Sequence, residues 1–174
     1  SVTKHETRTA SIDIWPQPAA FAQVYKAGST QVVATRLVAD LETPVSAYLK
    51  LASGRTPAFL FESVEGGEVR GRYSIIGLRP DVIWRATGDT AEFNRAPEKD
   101  PNHFERDSRP TLTSLRALLD ESRIELPEQL PPMAAGVFGY MGYDTVRLIE
   151  RLPNEPPDIL NVPDAILVRP TIMV

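Results

Sequence analysis

The chain has 174 residues, is 42% hydrophobic, and carries a formal net charge of −4 with a sequence pI of about 5.3. That suits one domain with a sizeable core and argues against a nucleic-acid or anionic-membrane surface. The absence of cysteine excludes disulfides, thiolate catalysis and cysteine metal sites, and no apolar stretch approaches the roughly 20 residues of a membrane-spanning helix.

The first ten residues, SVTKHETRTA, hold no apolar signal core, so a cytoplasmic location is expected, and residues 1–15 read as a flexible polar start. Residues 16–28 place Phe21, Val24 and Tyr25 at helical spacing, with Gly28 to end the turn. Residues 30–40, TQVVATRLVAD, are rich in β-branched side chains and read as a strand. Thr43 followed by Pro44 is an N-cap with proline at the first helical position. The helix that follows sets Val45, Tyr48, Leu49 and Ala52 on one face, and Gly54 closes it.

Residues 58–77, AFLFESVEGGEVRGRYSIIG, organise the chain. Two short apolar runs, ending at Phe61 and resuming at Tyr73, flank a polar, glycine-broken segment and predict two buried strands joined by a loop. Glu62, Ser63 and Arg72 then gather near the mouth between the strands. An acid and a base on rigid strand ends suit a zwitterion such as a free amino acid, Glu62 facing the ammonium and Arg72 the carboxylate. The simpler reading of the same residues is a solvated hairpin tip.

In residues 81–95, Gly88-Asp89 separates VIWRAT from TAEFNR. Glycine first suits a type II′ turn. The resulting register sets Thr87 opposite Thr90, Ala86 opposite Ala91, Arg85 opposite Glu92 and Trp84 opposite Phe93, an ion pair on one face and an aromatic pair on the other. Residues 96–110 are charged and proline-bearing and read as an exposed, mobile loop, with His103 a surface histidine lacking metal partners. Residues 111–122 read as an amphipathic helix with Leu112, Leu115, Leu118 and Leu119 inward.

Residues 134–144, AAGVFGYMGYD, repeat glycine at 136, 139 and 142. No Gly-Lys-Ser/Thr follows, so this is not a phosphate loop. It reads as a strand that another backbone or a ligand approaches closely, with the two left open. Asp144 is placed to cap a short helix over residues 145–150. Residues 164–174 read as a last strand interrupted by Pro170. The chain stops inside that apolar run, so partner strands or a following segment are expected. The irregular alternation does not fit regular βαβ units and predicts an α+β fold with a mostly antiparallel sheet.

Two of these stretches resemble a known family. FESVEGGEVRGRYSIIGLRPD is similar to the N-terminal signature of anthranilate synthase component I, and LPPMAAGVFGYMGYDTVRLIERLP to its second N-terminal signature. DLETPVSAYLKL and VPDAILVRPTIMV fit their places as well, so the resemblance runs from about residue 16 to the end. It implies that residues 16–174 are the N-terminal regulatory domain, an incomplete half of a larger two-domain α/β sandwich. The complete subunit of that family converts chorismate, with ammonia from a glutamine amidotransferase subunit (component II), to anthranilate and pyruvate in tryptophan synthesis. Its chorismate-binding and Mg2+-binding residues lie in a C-terminal half outside this chain, so no catalytic or metal-binding residue is expected here. The resemblance makes the mouth a feedback site for L-tryptophan, with Glu62, Ser63 and Arg72 matching the family's binding residues and Phe61 replacing the usual second leucine. The related component of aminodeoxychorismate synthase, on the folate route, and a stand-alone amino-acid-binding module are the alternatives.

Overall fold

Every second side chain from Leu78 to Ala86 is buried, the period of a strand with one face on a core. In the computed structural model, which describes residues 12–54, 57–62, 73–150, 157 and 160–174 (at Val146 the backbone only), this run belongs to one strand of 14 residues. In chain order the elements are β1 (Ile14–Trp15), α1 (Pro18–Lys26), β2 (Ala34–Thr35), α2 (Pro44–Leu51), β3 (Phe59–Glu62), β4 (Ser74–Thr87), β5 (Thr90–Asn94), β6 (Glu105–Arg106), α3 (Thr111–Glu121), β7 (Phe138–Met141) and β8 (Ala165–Met173), with 3-10 turns at Pro132–Ala134 and Tyr143–Leu148. The fold is α+β, as expected. β1 and β2 form a separate two-stranded ribbon, and the other six strands form one antiparallel sheet in the order β6-β5-β4-β8-β7, with β3 also on β4.

β4 is bonded along both edges. β3 pairs with its first residues and β5 with its last, while β8 runs along the other edge from Gly77 to Ala86. The two strands expected on either side of residues 77–80 are therefore one. Pro80 and Pro170 are tolerated because they lie opposite each other where the register shifts between Pro80 and Val82. A residue without an N–H can sit in a sheet where the ladder is already interrupted. Arg79 beside it takes a positive φ of 50° and is held by two bonds to Glu98, of 2.7 and 3.1 Å.

The β4–β5 hairpin has the predicted register, from Thr87↔Thr90 to Trp84↔Phe93. Gly88 has φ +55° while Asp89 does not, as a II′ turn requires, and Arg85 pairs with Glu92 at 2.7 Å. The turn is also a junction. The Asp89 carboxylate accepts from the Thr111 N–H and the Thr111 hydroxyl donates to the Gly88 carbonyl, which anchors the start of α3. The Gly88 N–H donates to Asp164, which anchors the entry to β8.

The core gathers Val82, Trp84, Ala86, Ala91, Phe93, Leu118, Ala165 and Leu167, with Leu115 and Val137 packed against them. Trp84 is wholly buried, so its indole N–H needs an internal acceptor. Ser114 supplies it at 2.9 Å, and the Ser114 hydroxyl donates in turn to Asp107 at 2.6 Å. Arg109 donates to both Asp107 oxygens. The arginine and the serine hold the Asp107 carboxyl well below the usual carboxylate range, against the opposing effect of burial. A second tether, Arg169 to Asp81 (2.8 and 3.1 Å) and to Ser122 (3.1 Å), fixes the end of α3 to β4 and β8.

Several expectations are corrected. Residues 30–40 contribute only two strand residues, and Val33, Leu37 and Val38 are exposed, because β-branched composition without a core partner does not make a buried strand. In the polar start, the described residues Ile14 and Trp15 are strand. Thr43 caps α2 through a capping box with Ser46, and Gly28 and Gly54 take left-handed φ after their helices as predicted, but Val45 and Leu49 on α2 are exposed. In α3, Leu118 and Leu115 face inward, Leu119 is exposed, and Thr111 and Ser114 are buried instead, drawn in by their hydrogen bonds. Residues 96–110 are not a structureless loop. Asn94 clasps the Ala96 N–H and the Asp100 carbonyl, β6 pairs with β5, and Phe104 lies under the Arg85 guanidinium at 3.6 Å. The short helix expected over residues 145–150 is a 3-10 segment starting earlier, at Tyr143, in which Asp144 pairs with Arg147 rather than preceding the helix as a cap.

Two outcomes follow from this packing. A Cβ at Gly139 would stand 1.9 Å from the Ile166 carbonyl, so Gly139→Ala should push β7 off β8 and cost about 2–3 kcal/mol in urea denaturation. A carboxyl lowered in the folded state contributes fully above its unfolded value, about 3.9, and that contribution is lost as pH falls towards the folded one. Between about pH 5 and pH 3 the unfolding midpoint of the wild type should therefore fall more steeply than that of Asp107→Asn. Equal slopes would remove Asp107 from the acid response.

Candidate ligand-binding site

The expected mouth lies at the free ends of β3 and β4. In FLFE the alternation sends Phe59 and Phe61 to one side of the strand. The register sets Phe59 against Gly77, Leu60 against Ile76, Phe61 against Ile75 and Glu62 against Ser74. The strands are antiparallel and adjacent, as predicted. β4 is buried at Ile76 and Gly77, whereas β3 is only half-buried and becomes exposed at Phe61 and Glu62.

Glu62 is the last residue of β3, its side chain open to solvent on a backbone held by the β4 ladder. Ser63 and Arg72 lie outside the described residues. Of the three residues expected to hold a zwitterion, the structure positions Glu62.

On the face of β3 opposite Glu62 stands an aromatic cluster that the sequence pattern did not reveal. The ring centroids of Phe59 and Phe61 are 4.7 Å apart, Phe59 and Phe138 5.2 Å, and Phe61 and Phe138 6.3 Å. These separations fall in the range where aromatic pairs attract. Phe138 belongs to β7, and β4 and β8 lie between β7 and β3. In a flat sheet those outer strands would be about 14 Å apart, so the sheet curls to bring the rings together. Phe61 keeps 41% of its surface exposed and Tyr73, just before β4, 50%. The end of β3 thus carries a solvent-exposed carboxylate on one face and partly exposed aromatic surface on the other. The carboxylate can accept hydrogen bonds from an ammonium group, and the rings can cover a flat apolar side chain.

The glycine-rich strand resolves towards backbone packing. Gly139 faces the Ile166 carbonyl, and the Gly142 N–H donates to the Asp164 carbonyl at 2.6 Å. A side chain at either position would meet β8 or its approach, so these glycines serve sheet spacing.

An open cleft of about 800 Å³ lies between β5 and the segment leading to α3, and shares no residue with the mouth. Among its charged groups, Arg109 pairs with Asp107, Arg95 with Glu121, and His103 with Glu105 at 3.2 Å. His103 is exposed, as expected of a surface histidine. The mouth, where the end of β3 exposes both a carboxylate and aromatic surface, is the better candidate. Among the described residues no group of three or more His, Cys, Asp or Glu side chains gathers to hold an ion, and no helix is long and apolar enough to cross a membrane.

The fold and site together define an α+β domain in which an antiparallel sheet presents an exposed hairpin mouth. No family model matches the chain. Curated proteins do. It is 52% identical over 153 residues to anthranilate synthase component 1 of Cereibacter sphaeroides, covering 88% of this chain and 31% of that protein. It is 34% identical over 181 residues to the protein of the same name from Mycolicibacterium smegmatis (98% and 34%), and 40% over 140 residues to that of Thermus thermophilus (78% and 27%). The chain is similar to anthranilate synthase component 1 proteins over most of its own length and spans about a third of the length of these relatives.

Because Glu62 is exposed, Glu62→Gln should leave stability within about 0.5 kcal/mol by chemical denaturation. A larger loss would mean that the carboxylate supports the fold.

Proposed function

We propose that the chain is the N-terminal regulatory part of an anthranilate synthase component 1. In this reading the complete subunit is a lyase that converts chorismate and ammonia to anthranilate and pyruvate in the cytoplasm, and a glutamine amidotransferase subunit supplies the ammonia. The observation that carries it is the similarity to proteins of that name over most of this chain. Catalysis, chorismate binding and Mg2+ are assigned to the part of the subunit outside these residues.

The role proposed for this chain is to bind L-tryptophan at the β3–β4 mouth. Glu62 accepts from the ammonium, Arg72 meets the carboxylate, Ser63 hydrogen-bonds between them, and the aromatic surface at Phe61 faces the indole. The exposed carboxylate at the end of a strand paired with β4, and the exposed aromatic surface at that same strand end, support this reading. Inhibition follows if tryptophan binds better to a low-activity arrangement of the whole subunit, because a ligand shifts such an equilibrium only through its differential affinity for the two states.

A thermal-shift titration with L-tryptophan tests this, with L-phenylalanine and Ser63→Arg as controls. A ligand specific to the folded state raises the midpoint once its concentration passes the dissociation constant. The expected result is a rise with tryptophan that is smaller with phenylalanine and absent in Ser63→Arg. In the full-length subunit the same variant should turn over chorismate but resist tryptophan. A fully sensitive variant would overturn the assignment of the site.

A further inference from the structure

We propose that Gly77 is a positioning residue for the mouth: its missing side chain seats the Phe59 ring on β4, and Phe59 in turn sets where the end of β3 stands relative to β7. The inference rests on the reading of the mouth as a ligand site and adds a residue that carries no ligand-binding group of its own.

The geometry is steric. A Cβ at Gly77 would lie 2.1 Å from Phe59 Cζ and 2.2 Å from Cε1, far inside van der Waals contact. Gly77 is not in the left-handed region, so the backbone here does not itself call for glycine. What requires it is the ring. Phe59 and Gly77 are register partners, and the ring lies across the Gly77 backbone. With a side chain at 77 the ring must swing away, and it then gives up its contacts with Phe61 at 4.7 Å and Phe138 at 5.2 Å. The contact with Phe138 joins β3 to β7 across the curl of the sheet, next to that of Phe61 with Phe138 at 6.3 Å.

Gly77 also sits where β4 is held from both sides, paired with Phe59 on one edge and Met173 on the other. The β4 backbone is thereby fixed, so the displacement falls on β3. That strand is four residues long, bonded in the described structure to β4 alone among the strands, and ends in Glu62. A shift at Phe59 is carried three residues along it to the carboxylate. Binding at the mouth and the placement of β7 are then coupled through one ring and one absent methyl group.

The test is a set of variants in the full-length protein: Gly77→Ala, Phe59→Leu, and the two combined. A leucine side chain at this position lacks the distal ring atoms that meet the added methyl. L-tryptophan affinity is read by calorimetry and global stability by urea denaturation. Gly77→Ala should weaken binding at least tenfold, and adding Phe59→Leu should recover most of that loss. Unaltered binding in Gly77→Ala, or a double variant no better than Gly77→Ala, would overturn the proposal. If the wild type binds no tryptophan, the ligand reading fails by itself. The steric claim is then decided by stability: Gly77→Ala must cost more stability in the wild-type background than in the Phe59→Leu background, and equal effects in both would overturn it.

Discussion

The structure depends on β4 being hydrogen-bonded along both edges. An edge strand leaves half of its N–H and C=O groups to water, whereas β4 spends its groups on β3 and β5 on one side and on β8 on the other. The burial of Trp84 follows from this, because a central strand has one face free to receive a helix. α3 takes that face, and Ser114 satisfies the one polar atom that the indole brings into the core. The Gly88-Asp89 turn then reaches both α3 and the entry of β8, so the elements around the hairpin are referred to the same two residues.

Close approach is the second theme, and it is local to the half of the sheet that carries the mouth. At Gly77 a ring occupies the space of a side chain, and at Gly139 a neighbouring carbonyl does. Both let the outer strands lie nearer than side chains would permit, and the curl that brings Phe59 to Phe138 uses that nearness. The described end of β3 is thus placed by the packing of β7 as well as by its pairing with β4.

The proposed role fits this arrangement. A site that reports to a distant centre needs a rigid frame on one side and an element able to move on the other. β4 offers the frame. β3, short and exposed at its end, offers the element that a bound amino acid can engage. The anthranilate synthase component 1 proteins it resembles are about three times as long as this chain.

Local chemistry was legible where it acts over a few residues. The Gly88-Asp89 turn and its register, the Thr43 cap, the glycine stops of α1 and α2, the antiparallel α+β class and the acid at the end of β3 all follow from neighbouring side chains, whose preferences are the same in any fold. Ser63 and Arg72 were named from the same string and lie outside the described residues. Residues 30–40 had strand composition without a surface to cover, and Leu119 had the right period on the wrong side of a helix turned by the bonds of Thr111 and Ser114. The contact of Phe59 with Phe138, the seat of Phe59 on Gly77 and the bond from Trp84 to Ser114 join residues far apart in the chain. Such contacts exist only once the sheet has curled and α3 has docked. Turns, caps and strand class were thus written in short stretches of residues, while the wall of the mouth and the partners of its glycines came from long-range packing, because distance along the chain carries no information about which surfaces a curled sheet brings together.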